Sequence, residues 1–104
     1  MNLPEPLKQA GWAVYPDLPP NYTAYWGKSF YPEHKCAHNE KVSICIYPSI
    51  YTLHSYTFKL YGGLQDDSWV CLENYSILIP EEKLMEKVDE VTTRLIRAWE
   101  ALHA

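Results

Sequence analysis

A chain of 104 residues, 47% hydrophobic and 21% charged, has room for one core and is too apolar for a disordered tail, so a single globular domain over 1–104 is expected. Nine Lys and Arg against thirteen Asp and Glu give a net charge of −4. No basic cluster is present to neutralise phosphates, which disfavours nucleic-acid binding.

No apolar run approaches the ~20 residues that cross a bilayer. The first residues, MNLPEPLKQAGW, lack a basic n-region and an apolar h-region, so a cytoplasmic protein without membrane contact is expected. Cys36, Cys45 and Cys71 stand at unpatterned positions, make no disulfide framework and suit a reducing compartment. The compositional anomaly is aromatic, with nine tyrosines in the chain.

In chain order, Pro4–Ala10 reads as a short N-terminal helix, with Gly11 where a left-handed cap falls. Trp12–Tyr15 is a brief extended piece, a possible extra strand, and PDLPP then stops it because proline can neither donate to a ladder nor sit in a helix interior. From Tyr22 to Tyr31 the period is two. Tyr22, Ala24, Trp26, Lys28 and Phe30 alternate with Thr23, Tyr25, Gly27, Ser29 and Tyr31.

Lys41–Pro48 is the clearest half-buried strand, with Val42, Ile44 and Ile46 on one face and Ser43, Cys45 and Tyr47 on the other. Tyr51–Tyr61 gives a third run, in which Tyr56, Phe58 and Leu60 share a face, and His54 is placed on that face as a hydrogen-bonded sheet residue. A fourth run starts at Ser68. The loop between the last two, about six residues containing Gly62 and Gly63, predicts an antiparallel hairpin.

Pro80 is expected at the first helical position, with Glu81 and Glu82 at the positive end of the dipole. Leu84, Val88, Val91, Leu95, Trp99 and Leu102 follow in one stripe, which predicts an amphipathic helix from about Glu81 to Leu102. The expected fold is therefore α+β and two-layered, a four-stranded antiparallel sheet covered by a long C-terminal helix, with a short N-terminal helix.

The most chemical stretch is YPEHKCAHNE, with His34, Cys36 and His38 at alternate positions. In a strand, residues four apart lie ~13 Å from each other, so one zinc cannot reach all three. In a helix His34 and His38 become neighbours while Cys36 points away. A zinc site would need Cys45, Cys71 or His54 as well, and no CxxC or HExxH pattern supports it. No cofactor is expected, and a metal-binding or thiol-dependent role at this loop is the alternative function. Asp66-Asp67 and Glu81-Glu82 are explained by turn and helix-dipole preferences, so no catalytic residue is named.

A sheet covered by one helix leaves a face open. Tyr22, Tyr25, Trp26, Tyr31, Tyr47, Tyr51 and Tyr56 are the expected interaction surface, because exposed Tyr and Trp form rigid amphipathic contacts. A protein partner, or a second copy in a homodimer, is expected to cover them.

SYTFKLYGGLQDDSWVCLENYSI followed by a helix ending LIRAWEAL resembles small bacterial proteins, cyanobacterial and phage-related, that run strand, turn, Trp-containing strand and closing helix. The likeness spans residues 51–102 and rests on Trp69, Leu72, Tyr75, Leu95, Trp99 and Leu102. It implies packing positions and no activity. The leading expectation is a non-catalytic protein-interaction module, such as a small accessory or inhibitor protein. A phage-type inhibitor of host defence, including an anti-CRISPR protein, is one setting for it.

Overall fold

The apolar alternate residues of the clearest strand, Val42, Ile44 and Ile46, are all buried. In the computed structural model, which describes residues 3–15, 25–30, 42–49, 51–63 and 69–103, five strands form one antiparallel sheet in the order of the chain. They are β1 (Ala13–Tyr15), β2 (Tyr25–Phe30), β3 (Val42–Pro48), β4 (Ser55–Gly63) and β5 (Trp69–Leu78). The short piece after Trp12 is thus a fifth strand, paired with β2 through Ala13↔Gly27 and Tyr15↔Tyr25. Four strands were expected from the sequence, and the extra one is only three residues long, too short for its period to declare itself.

Both helices lie on one side of this sheet. α1 (Glu5–Gln9) inserts Leu7, and Gly11 ends it at φ 101°, in the left-handed region that glycine adopts without cost. The Lys28 ammonium reaches up from β2 to the Ala10 carbonyl at 2.6 Å, a cation at the negative end of this short helix, and lies 5.2 Å from the Phe30 ring centroid.

The long helix is preceded by a single 3-10 turn over Glu81–Lys83, and α2 then runs Leu84–His103. Pro80 is not the first helical residue; with ψ 145° it caps the turn, and its carbonyl accepts from the Lys83 N–H at 2.9 Å. Leu84, Val88, Val91, Leu95 and Trp99 are buried, as the stripe requires, against Trp26, Val42, Ile44, Ile46, Phe58 and Leu60 from the sheet. Fully burying side chains of this size contributes roughly 1.5–3 kcal/mol each, so the packed layer is of the order of a domain's whole net stability.

β4 begins at Ser55, four residues later than the periodicity suggests. The cause is local hydrogen bonding after Pro48. The Ser49 hydroxyl accepts from the N–H groups of Tyr51 and Thr52 at 3.1 and 3.0 Å, which turns the chain instead of extending it. His54 closes that turn at φ 64°, a left-handed conformation, and so is not a sheet residue beside Phe58. Its carbonyl accepts from the Ile79 N–H at 2.8 Å.

Candidate interaction surface

The sheet face away from the helices is built by the alternate residues of each strand. Register places Tyr15, Tyr25 and Tyr47 side by side on β1, β2 and β3. Their rings form a row. Tyr15 stacks on Tyr25 with centroids 5.5 Å apart, and Tyr25 stacks on Tyr47 at 5.1 Å. The Lys59 ammonium from β4 extends it, 4.8 Å from the Tyr47 ring centroid. Stacked pairs of this kind are worth about 0.5–1.5 kcal/mol beyond area burial, so the row holds its own shape.

Gly27 shows how closely the rings sit. A Cβ built there would lie 3.0 Å from the Tyr15 ring and 3.5 Å from the Tyr25 ring. The rings lean over bare backbone and bury it, the aromatic cover that lets a strand tolerate glycine. Cys45 is buried on the same face. Around these groups lies a shallow hollow of about 400 Å³, with Tyr61 also on its wall.

Beside the row the surface is hydroxylic. Ser29 and Ser43 meet across β2 and β3 at 3.2 Å, and Thr57 and Ser76 meet across β4 and β5 at 3.1 Å. Among the described residues this face carries one charged side chain, Lys59, and no carboxylate. The described acids of α1, the 3-10 turn and α2 all stand on the other side, where Glu90 pairs with Lys87 at 3.1 Å and with Arg94 at 3.4 Å.

The sequence-derived surface is therefore divided by the structure. Tyr25 and Tyr47 lie in the row. Trp26 does not; it is 3% exposed under the helices, because its strand neighbour Tyr25 takes the open side. Tyr56 also points to the helix side, where it packs against Trp26 with ring centroids 5.8 Å apart. Tyr51 is exposed, but in the turn before β4 and not on the sheet. Tyr22, Tyr31, His34, Cys36 and His38 lie outside the described residues, as does the question of whether 32–39 is helical or extended.

Tyr15, Gly27 and Lys59 are members that the sequence reading missed. Pairing β1 with β2 would have found Tyr15, since a register with Tyr15 opposite Tyr25 puts both rings on one face.

A second concavity, about 350 Å³, opens at the end of the sheet between the turn and the start of α2, with Tyr56, His54, Ser49 and Glu81 on its wall. Burial raises the Tyr56 phenol above its ordinary range, and the nearby Glu81 carboxylate adds to the shift. Raised, this hydroxyl stays a neutral hydrogen-bonding group and offers no reactive anion.

Among the described residues no three His, Cys, Asp or Glu come together in a way that could hold a metal ion, and no helix is long and apolar enough to cross a membrane. No family model, curated protein or solved structure matches the chain.

Proposed function

We propose that this chain is a non-catalytic protein-interaction module and that its working surface is the helix-free face of the sheet. The observation that carries the reading is the row Tyr15, Tyr25, Tyr47 and Lys59, flanked by the hydroxyl pairs Ser29–Ser43 and Thr57–Ser76. Protein interfaces are enriched in Tyr and depleted of charge at their centres, and this face has both properties while the helix layer has neither. Rigid stacked rings also lose little conformational freedom on docking. The partner that fits is a protein surface of low charge with a carboxylate placed to meet Lys59.

The test is retention on the immobilised chain from an extract of the source cell, followed by titration with the purified retained protein. Tyr25→Ser with Tyr47→Ser should weaken that binding at least tenfold, while Glu86→Lys with Arg97→Glu on the helix surface leaves it unchanged. Equal binding by the tyrosine variant and the wild type would sink the reading.

A further inference from the structure

The two edges of the sheet differ in a way that the open face does not explain. β1 is three residues long and is followed in the sequence by Pro16, which has no backbone N–H to donate to a further strand. β5 is ten residues long, Trp69–Leu78, with no Lys, Arg or Pro and with Glu73 its only charge. Among the described residues it pairs only with β4. Natural edge strands are usually short or guarded by charge and proline, and β5 has none of these guards along Asn74–Leu78. Its single irregularity is the register shift opposite Leu60 and Tyr61, which lies upstream of that segment.

The direction of the edge groups follows from one hydrogen bond. Ile79 N–H bonds to the His54 carbonyl, toward β4. Backbone groups alternate sides along an antiparallel strand, so Ile77 and Tyr75 also turn toward β4, and the N–H and C=O of Ser76 and Leu78 turn outward. Leu78 is 68% exposed, an unusual state for a leucine inside a strand.

We infer that β5 pairs with β5 of a second copy of this chain, antiparallel about a two-fold axis at Ser76, joining the two sheets into one. This register is self-complementary at each position it uses. Ser76 meets Ser76, both with outward backbone groups, and their hydroxyls continue the Thr57–Ser76 contact across the axis. Tyr75 of each copy lies opposite Ile77 of the other on the helix side, an aromatic and β-branched pair of the kind that stabilises sheets. Leu78 comes beside Asn74 and loses exposure. The stretch Asn74–Leu78 is uncharged, so a protein of net charge −4 approaches its copy here without local repulsion. An interface of one short strand pair stands at the small end of the range, and the association is accordingly concentration-dependent.

Sedimentation equilibrium of the full chain decides it. The wild-type mass should rise from 12.1 kDa toward twice that value across micromolar to millimolar concentration. Ser76→Pro removes an outward N–H and no β4 bond, so it should leave a folded monomer at every concentration. Leu78→Lys, which places a charge on the edge, should do the same and decides the matter if the proline variant does not fold. Tyr25→Ser with Tyr47→Ser, on the open face, should keep the dimer. A constant mass of one chain, a dimer that survives both edge variants, or a dimer lost with the tyrosines would each overturn the inference.

Discussion

On β3, Val42, Ile44 and Ile46 face the helices and have no measurable exposure, while Tyr47, in the same strand, stacks on Tyr25 and remains half-buried on the opposite face. The two faces of one sheet are thus stabilised differently. The helix side depends on shape-matched apolar burial under α1 and α2; the open side depends on ring-on-ring contact and paired hydroxyls that stay accessible. A face that only needed to be wettable would not require a glycine beneath two tyrosine rings. The difference separates what keeps the protein folded from what is available for contact.

The largest effect should follow from charging the covered face. Val91→Asp or Leu95→Asp places an unpaired carboxylate in the packed layer, which costs several kcal/mol, roughly the net stability of such a domain. Cooperative thermal unfolding should disappear; an unchanged melting curve would show that α2 does not pack as described.

A smaller change of opposite sign is expected at Thr92. Its Oγ1 is buried with no hydrogen-bond partner among the described residues, and leaving such a group unsatisfied costs about 1–3 kcal/mol. Thr92→Val keeps the shape and removes the orphan oxygen, so denaturant titration should show a gain of about 1 kcal/mol. A loss would mean that the hydroxyl is satisfied in solution.

Gly27→Ala probes the open face alone. The new methyl meets the Tyr15 ring, which stands on an exposed edge and can swing aside, so stability should fall by less than about 1 kcal/mol. Aromatic resonances of Tyr15 and Tyr25 should shift in NMR spectra while the methyl signals of Val42 and Ile44 stay in place. Shifts spread evenly through the core would contradict the independence of the two faces.

The smallest effect concerns pH. A phenol raised in the folded state holds its proton more tightly there than in the unfolded chain. The stability from Tyr56 is therefore present below the ordinary phenol range and lost as pH rises through the raised value. Tyr56→Phe should flatten the alkaline limb of the stability profile. Glu81→Gln should lower the phenol's titration toward its ordinary range; no movement would leave burial as the whole cause.

The long helix was legible because its stripe repeats over five turns, and β3 because alternation is unbroken from Val42 to Tyr47. β1 was faint because three residues hold little more than one period. The start of β4 was misplaced since alternation does not register a serine hydroxyl folding the next two N–H groups into a turn. At the candidate site, composition showed that aromatics stand on both faces, but which of Tyr25 and Trp26 faces the helices depends on where Leu7, Trp12 and Trp99 pack. Alternation puts Tyr56 on one face with Phe58 and Leu60, but which face the helices cover is decided only by the packing of the core, and it is this one.

The central claim, that the open face serves contact with a partner beyond its modest share in stability, is tested most directly by one double variant measured twice. Tyr25→Ser with Tyr47→Ser removes two stacked contacts and should lower stability by about 1–3 kcal/mol, leaving a cooperative fold. The affinity for the partner retained by the wild-type chain, measured by calorimetry on the same samples, should fall at least tenfold. Unchanged affinity in a folded double variant would contradict the account.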